Sequence, residues 1–398
     1  MRFFSANRRV NIGVTEAILT VRLLEYFITS NEAQIMKWFA GGLLSTCLIL
    51  AYGPGVNAQP VPASQPSPWS MNQQPFGRPT TNPDAKKMPA IKVKGNRFVD
   101  ATGQPVLFRG VSISDPDKLD LEGHWNKELF QHVKDMGVTL VRIPVHPAAW
   151  RARTPEKYLL LLDQAVHWCT DLGLYIDIDW HSIGNLKMQV FQNPMYITTP
   201  AETYDFWRII ARHFRGTNTV AFYELFNEPT TARGQMGSVS WSEWKKMNEE
   251  IISLIRAFDK QTIPLVAGFD WAYDLTPLRL EPIAAEGIGY VTHPYANKRT
   301  RPWEPKWEED FGFAAADYPM IATEIGFSVR NGEKLDDDHY GNRIVKYLEG
   351  KGISWLAWDF DPHWGPTLLK SWNFDLTGSG EFFKQAMQNS NGKPKMTP

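Results

Sequence analysis

The feature that most constrains the fold of this chain is a regular alternation of apolar and amphipathic segments, which begins near residue 91. Eight apolar segments have the length and composition of buried strands. The stretches between them are long enough to hold helices, and several have a helical period, such as residues 126–137, 156–173, 201–216 and 242–260. The strand candidates are residues 105–113, 139–146, 175–182, 221–229, 264–272, 288–295, 320–327 and 353–360.

Near-continuous apolar strands joined by helix-sized connections favour parallel pairing with both faces of the sheet covered. About 300 residues suit a closed barrel of eight strands and eight helices. The rival is an open, doubly wound sheet, which would need a glycine-rich phosphate-binding turn after an early strand, and the sequence has none. We therefore predict an α/β fold: a single (β/α)8 TIM barrel domain over residues 89–392, with a short N-terminal β-hairpin that turns at Gly95-Asn96.

The first 58 residues do not have the pattern of a folded domain. A basic Lys37, an apolar run over residues 38–52 and the small residues before position 59 have the layout of a secretory signal peptide over residues 36–58, cleaved near Ala58. Residues 1–35 are then predicted to be an over-extended start. A membrane anchor is the alternative, but the apolar run is shorter than the roughly 20 residues that a spanning helix needs.

Composition narrows the class of protein further. Residues 59–88 are rich in Pro, Ser and Gln, which predicts a flexible linker, and residues 393–398 are predicted to be a tail. A net charge of -1 provides no basic field for nucleic acid. Of the two cysteines, Cys47 lies in the leader, where the bulky preceding threonine disfavours lipidation, and Cys169 is predicted to be a core residue. We predict a secreted or periplasmic monomer without a membrane span in the mature chain.

Two of the strand candidates end in a glutamate. The segment AFYELFNEP ends in Asn227-Glu228-Pro229, and the segment MIATEIGF carries Glu324 near its end. In a parallel barrel the carboxyl ends of the strands meet on one face. Paired carboxylates in a chain with 16 Trp, more than a core needs, indicate acid–base chemistry on a sugar.

Polar, titratable or indole side chains stand at the ends of most of the other strand candidates as well. Each of them alone is more often structural: an arginine as an ion-pair partner, a histidine or tryptophan as a packing residue. Their joint occurrence at successive strand ends favours a functional site. Besides the two glutamates and Asn227, they are Arg142, Trp180, His181, Trp271, His293, Tyr295 and Trp358.

The ordered motifs over residues 91–388 resemble glycoside hydrolase family 5, the secreted, endoglucanase-like (β/α)8 hydrolases. The matching segments are GQPVLFRGVS, VRIPVHP, DWH, YELFNEP, VTHPY, ATEIGF and WLAWDF. An Asn-Glu-Pro triplet alone is a weak signal, whereas the whole series in this order is specific.

The resemblance implies a retaining, double-displacement mechanism. Glu228 would be the general acid/base and Glu324 the nucleophile, with their carboxyl groups about 5–5.5 Å apart. Glu228 must then be protonated and Glu324 ionised at the working pH. Hydrogen bonds from Arg142 and Tyr295 to Glu324 would favour its charged form.

The resemblance also implies roles for the neighbouring residues. Asn227 would bind the 2-hydroxyl of the sugar at the cleavage point, and Trp358 would form the floor under that sugar. His181 and His293 would bind sugar hydroxyls or tune the carboxylates. Other aromatic and polar residues are assigned by position: Trp180, Trp241, Trp271, Trp303 and Trp364 to sugar stacking, Asp359, Asp361 and His363 to polar contacts, and Trp125, Trp168 and Trp207 to the core.

The predicted function is an endo-β-1,4-glucanase that acts on cellulose-like or mixed-linked glucan. No cofactor and no metal site are predicted, because the segments DWHS and DPHW do not supply three or four ligands at a recognised spacing. An endo-β-1,4-mannanase remains open, since loops set specificity on this fold. A non-catalytic glucan-binding protein is disfavoured by the presence of both glutamates, and an esterase by the absence of a Gly-x-Ser-x-Gly turn.

Overall fold

The computed structural model describes residues 88–330 and 333–389. The predictions for the over-extended start, the signal peptide and the tail fall outside these residues, as does the linker up to residue 87. In the described part of the chain, no helix is both long and apolar enough to cross a membrane.

Thirteen strands form three sheets within the described residues. Eight of them, all parallel, close into a barrel in the order β3-β4-β5-β8-β10-β11-β12-β13, and β13 pairs with β3. Each of the eight strand candidates overlaps one of them, so the predicted (β/α)8 barrel is confirmed. The strands are β1 (Lys92–Lys94), β2 (Arg97–Val99), β3 (Arg109–Ser112), β4 (Leu140–Val145), β5 (Tyr175–Trp180), β6 (Ile183–Asn185), β7 (Val190–Phe191), β8 (Val220–Glu224), β9 (Glu228–Pro229), β10 (Ile263–Ala267), β11 (Gly289–Val291), β12 (Met320–Ile325) and β13 (Ser354–Ala357).

Several helices begin at residues that cap backbone N–H groups, and the long helix before β5 ends at a glycine. Asn126, Thr199 and Ser240 accept hydrogen bonds from backbone N–H groups of the first turn, which would otherwise lack partners. The long helix before β5 ends at Gly173, whose φ of 67° is the left-handed conformation of a C-cap. The helices are α1 (Pro116–Leu121), α2 (Lys127–Asp135), α3 (Pro147–Arg153), α4 (Pro155–Leu172), α5 (Pro200–Phe214), α6 (Trp241–Arg256), α7 (Phe269–Ala272), α8 (Glu304–Asp310), α9 (Tyr340–Lys351) and α10 (Gly378–Asn389).

The antiparallel hairpin of β1 and β2 closes the amino end of the barrel. It turns at the predicted Gly95-Asn96, and Phe98 of β2 enters the apolar cluster inside the barrel. The ring of Phe98 lies 5.0 Å from that of Phe222 and 6.4 Å from that of Phe108, both edge-on. This end of the barrel interior is therefore apolar and filled, which leaves the carboxyl end for chemistry.

The barrel wall is tightest at Gly110 of β3. A Cβ atom there would lie 1.8 Å from the backbone oxygen of Leu140 and 2.6 Å from Cδ2 of Leu356. Because two neighbouring strands approach this position, only glycine fits.

A small second sheet, in the order β7-β6-β9, covers the carboxyl end of the barrel. The strand predicted over residues 221–229 is in fact divided: the barrel strand β8 ends at Glu224, and Glu228 begins β9. Ile183 of β6 pairs in parallel with Glu228. Glu228 therefore lies on an element outside the barrel wall.

Candidate active site

The carboxyl end of the barrel interior is polar, and Arg142 of β4 lies at its centre without any exposed surface. Its Nε and Nη2 donate to the two carboxylate oxygens of Glu224 on β8, at 2.8 and 2.9 Å. Nη2 also donates to Oδ1 of Asn227 at 2.6 Å and lies 2.9 Å from Oδ2 of Asp179. The planar guanidinium thus fixes carboxylate and amide groups at the ends of two strands, β5 and β8.

Glu324 on β12 completes this set of contacts. Nη1 of Arg142 donates to its Oε1 at 2.8 Å, and the hydroxyl of Tyr295 donates to its Oε2 at 2.9 Å. Both hydrogen bonds were predicted from the sequence. Burial raises the pKa of Glu324 above its ordinary value, while the positive charges of His293 and Arg142 favour the carboxylate.

A β-bulge turns Glu324 into the barrel. Residues 322 and 325 of β12 pair with residues 355 and 357 of β13, so β12 contains one extra residue between these pairs. Thr323 and Glu324 consequently both face the interior, whereas a regular strand would point one of them outward.

Glu228 on β9 faces His293, which follows β11. Nδ1 of His293 lies 3.0 Å from Oε1 of Glu228 and 3.7 Å from Oε2 of Glu324. Burial disfavours the imidazolium, but the carboxylates of Glu324, Glu224 and Glu228 raise the pKa of His293 to about 9. A positively charged ring therefore stands between the two strand-end glutamates.

Two groups of side chains in the described part of the chain have the spacing of a metal site. In the first, Glu228, His293 and Glu324 offer ligand atoms that all lie within 4.8 Å of one another. The charge on His293 opposes a cation there. The second consists of Glu122, Asp361 and His363, and the ammonium of Lys118 already pairs with Glu122 at 2.9 Å and Asp361 at 2.6 Å. Both groups are thus neutralised by cations of the chain itself.

His181 and Trp358 form an aromatic wall beside the carboxylates. Their rings are stacked, with centroids 5.5 Å apart and planes 6° from parallel. Burial holds the pKa of His181 well below its ordinary value, so the ring is neutral, and its Nδ1 lies 2.5 Å from Oδ2 of Asp179. The role of Trp358 as a floor under a sugar stays a prediction.

Trp271 is placed by an unusual turn. Asp270, Trp271 and Ala272 of α7 all have φ near 57°, a left-handed conformation that costs non-glycine residues roughly 1–2 kcal/mol each. Nζ of Lys298 donates to the Asp270 carbonyl at 2.6 Å and lies 4.8 Å from the Trp271 ring centre. The indole Nε1 donates to Oε1 of Gln192 at 3.0 Å. These contacts fix a half-buried indole near β9. Sugar stacking on this indole stays a prediction.

The prediction of sugar stacking is wrong for two tryptophans, which are buried. Trp180 has no exposed surface, and its ring stacks on Phe206 of α5 at 4.1 Å. It is the residue of β5 next to the inward-facing Asp179, so the alternation of the strand points it at the helices. Trp303 is buried under a stack with Trp307, 5.8 Å away.

The remaining predicted positions are divided between rim and core. Trp241 and Trp364 are half-buried, and His363 is exposed. Asp359 and Asp361 accept hydrogen bonds from the Ser114 hydroxyl and join the end of β13 to the segment before α1. The core predictions are confirmed for Cys169, Trp125 and Trp207, which are buried, and Trp168 packs against the core.

Sequence reasoning missed the charged groups inside the barrel. Asp177, Asp179 and Glu224 have no exposed surface, and Thr323 lies among them. Burial and the neighbouring Glu224 hold the pKa of Asp177 well above its ordinary value, whereas Arg142 and His293 overcome burial and lower the pKa of Glu224. The signal was available: a carboxylate at every second position of an apolar strand faces the same side.

Comparison with known proteins decides the family. A model of glycosyl hydrolase family 5, described as cellulase, matches residues 99–363. The chain belongs to glycosyl hydrolase family 5. The resemblance read from the sequence motifs is thereby confirmed.

Solved structures and curated proteins are similar to this chain. A beta-glucanase from Saccharophagus degradans is 45% identical, with a TM-score of 0.76 over 81% of this chain and 98% of that chain. A second structure of that beta-glucanase contains cellotetraose. Endoglucanase E-5 of Thermobifida fusca is 24% identical over 72% of this chain, and an endoglucanase of Clostridium saccharobutylicum is 26% identical over 76%. The chain spans 59% and 65% of the lengths of these two endoglucanases.

Proposed function

We propose that this protein is a retaining endo-β-1,4-glucanase, with Glu228 as the general acid/base and Glu324 as the nucleophile. One observation carries the proposal: carboxylate oxygens of the two glutamates lie within 4.8 Å of each other. Retaining enzymes need carboxyl groups about 5–5.5 Å apart, and inverting enzymes need about 6.5–9.5 Å to admit a water molecule. The spacing supports direct attack by one carboxylate on the sugar carbon.

Each glutamate has surroundings that suit its proposed step. Glu324 attacks C1 of the sugar while Glu228 gives a proton to the departing glycosidic oxygen. Water then attacks C1 and returns a proton to Glu228, which releases Glu324. Arg142 and Tyr295 aim Glu324 at C1, and His293 offsets the negative charge that Glu228 gains when its proton leaves.

The substrate class rests on the relatives. The Saccharophagus degradans structures are of a beta-glucanase, one with cellotetraose, and the curated proteins described above are named endoglucanases. These names support β-glucan as the substrate. Mannan remains the alternative to be tested, because the same catalytic residues serve both polysaccharides when the surrounding loops differ.

The decisive experiment measures reducing-sugar release from carboxymethylcellulose, mixed-linked glucan and mannan. The wild-type protein is compared with Glu228→Gln, Glu324→Gln and the exposed control Glu286→Gln. Loss of general acid catalysis removes about 10²–10⁴-fold of rate, so both site variants should lose glucan hydrolysis at least to this degree while the control keeps it. Proton NMR of the first product should show the β-anomer.

Each other result has a clear meaning. Hydrolysis of mannan alone would keep the mechanism and replace the substrate. Initial release of the α-anomer would rule out retention. Binding of glucan without any release of sugar would replace the enzyme by a glucan-binding protein.

We also propose that the protein is exported, cleaved near Ala58 and monomeric. The support for export and cleavage is the leader pattern in the sequence, which lies outside the described residues. Amino-terminal sequencing of protein from the culture medium or the periplasm tests the cleavage site. Light scattering on the same sample gives the number of chains in the particle.

A further inference from the structure

A buried chain of hydrogen bonds connects Glu224 to the proposed acid/base. The hydroxyl of Thr323 donates to Oε1 of Glu224 at 3.2 Å, and Nε2 of His293 lies 2.9 Å from the same hydroxyl oxygen. On the other side of the ring, Nδ1 faces Oε1 of Glu228 at 3.0 Å. Glu224, Thr323 and His293 have no exposed surface.

Donors and acceptors can be assigned to this series of hydrogen bonds in only one consistent way. Arg142 donates to both carboxylate oxygens of Glu224, which keeps that carboxylate ionised and able only to accept. The single proton of the Thr323 hydroxyl therefore points to Glu224. The hydroxyl oxygen must then accept from Nε2 of His293, so Nε2 carries a proton whether the ring is neutral or charged.

We propose that Glu224 and Thr323 are positioning residues that fix the proton on Nε2 of His293, so that Nδ1 alone exchanges a proton with Glu228. The inference rests on the proposed function of Glu228. In the cleavage step, the proton shared by Oε1 of Glu228 and Nδ1 of His293 goes to the glycosidic oxygen as the C1–O bond breaks and Glu324 bonds to C1. In the second step, water bonds to C1, Glu324 leaves, and the water proton returns to the shared site.

This arrangement sets the upper pH limit of activity. Once the proton shared by Glu228 and Nδ1 is lost to solvent, none remains for the leaving oxygen. A pKa of His293 near 9 is consistent with a limit on the alkaline side. The charged and titratable groups that surround the ring are Glu224 of β8, Glu228 of β9 and Glu324 of β12, with Arg142 of β4 and His181 after β5 beyond them.

The first test compares Thr323→Val with the matched control Thr323→Ser. Valine removes the acceptor of the Nε2 proton but leaves the contact between Arg142 and Glu224, whereas serine keeps the hydroxyl. Loss of that acceptor destabilises the charged ring, so the alkaline limb of kcat/KM on soluble glucan should move to lower pH by about one unit in Thr323→Val. The profile of Thr323→Ser should match the wild type.

The second test separates proton delivery from general damage. Hydrolysis of 2,4-dinitrophenyl β-cellobioside needs no proton on the leaving group, because dinitrophenolate is already stable. Thr323→Val should lose about tenfold or more of kcat/KM on glucan and keep the wild-type kcat/KM on the dinitrophenyl substrate, because that constant reports the cleavage step alone. An equal loss on both substrates would reduce Thr323 to a packing residue and overturn the proposal.

The third test does not depend on activity. Nitrogen-15 NMR of the histidine rings, with His293 assigned by its absence in His293→Asn, reports which ring nitrogen loses its proton as the pH rises. We expect Nδ1 to do so in the wild type, and Glu224→Gln or Thr323→Val to lower the midpoint. A neutral ring protonated on Nδ1 would overturn the proposal. If the wild type does not hydrolyse glucan, the proposed function fails, and this measurement still decides the position of the proton.

Discussion

At the scale of single residues, Asn227 gives the sharpest prediction about substrate contacts. Its Oδ1 accepts from Arg142, while its Nδ2 is buried without a hydrogen-bond partner among the described residues. Buried donors rarely lack a partner, and a sugar hydroxyl would supply one. We expect Asn227→Ala to lower kcat/KM on glucan by about 10²–10³-fold, the usual effect of removing a donor that acts in the transition state.

Asn248→Ala is the matched control, because Asn248 is equally buried but lies on the outer helix α6, where it bonds to the Trp244 carbonyl. It should change the melting temperature and leave kcat/KM unaltered. A loss of activity as large in Asn248→Ala as in Asn227→Ala would attribute the effect to lost stability.

The sequence predicted a site residue well where its side chain stands at the end of a strand. It predicted poorly where the direction of the side chain decides whether it faces the barrel interior or the surrounding helices. The sequence motifs identified Arg142, His293 and both glutamates, and the structure brings these four together. Trp180 was assigned to the site because of its position along the chain, although the inward carboxylate before it already implied an outward side chain. The inward direction of Asp179 and Glu224, the carboxylate partners of Arg142, follows from the same alternation of side chains along a strand.

At the scale of elements, Lys298 contacts the left-handed turn of α7 at two points. Lys298→Met removes both the hydrogen bond to the Asp270 carbonyl and the cation above the Trp271 ring, and a cation–π contact is worth about 1 kcal/mol. If Trp271 carries the sugar on the leaving side, KM for long glucan should rise about fivefold.

The same variant should hydrolyse an aryl cellobioside at the wild-type rate, because that substrate has no sugar on the leaving side. Lys260→Met, at an exposed lysine, is the control. Equal effects on both substrates would place the indole elsewhere in the cleft.

Elements whose position depends on backbone irregularities were the least predictable. A strict period of two along β12 places Thr323 and Glu324 on opposite faces, and only the extra residue in the pairing with β13 brings both inside. The predicted strand at residues 221–229 is divided by residues 225–227, which belong to neither β8 nor β9. Nothing in the apolar run before Glu228 marks the point where the chain leaves the barrel.

At the scale of the whole molecule, the barrel tolerates no side chain at Gly110. We expect Gly110→Ala to destabilise the fold by more than about 3 kcal/mol, because its Cβ would overlap the Leu140 carbonyl. Gly350→Ala, in helix α9 with open space around it, should stabilise by about 0.5–1 kcal/mol. Urea unfolding of both variants measures the two changes in free energy, and similar values would contradict the packing argument.

Stability should also depend on pH through His293. Its pKa in the folded protein, about 9, exceeds the ordinary 6.5, so its contribution is fully present below pH 6.5 and is lost as the pH rises through 9. The contribution is on the order of 3 kcal/mol. The free energy of unfolding of the wild type should fall over this range more steeply than that of His293→Gln, and parallel curves would contradict the raised pKa.

The overall fold was the most predictable level, because eight apolar strands alternate with helices and no glycine-rich phosphate-binding turn favours the open sheet. The strand and helix periods come from local geometry, which sequence expresses directly. The polar interior depends instead on which groups meet across the barrel, and that is set by strand register.

The two proposed catalytic glutamates belong to different parts of the architecture: Glu324 to the barrel wall and Glu228 to the small sheet above it. Their separation, which decides between retention and inversion, is therefore adjustable without rebuilding the barrel. An engineer who wished to widen the gap would insert residues in the β6–β7 hairpin or before β9, and leave the eight barrel strands untouched. A change there moves the proposed acid relative to the glycosidic oxygen, while the proposed nucleophile keeps its place in the barrel wall.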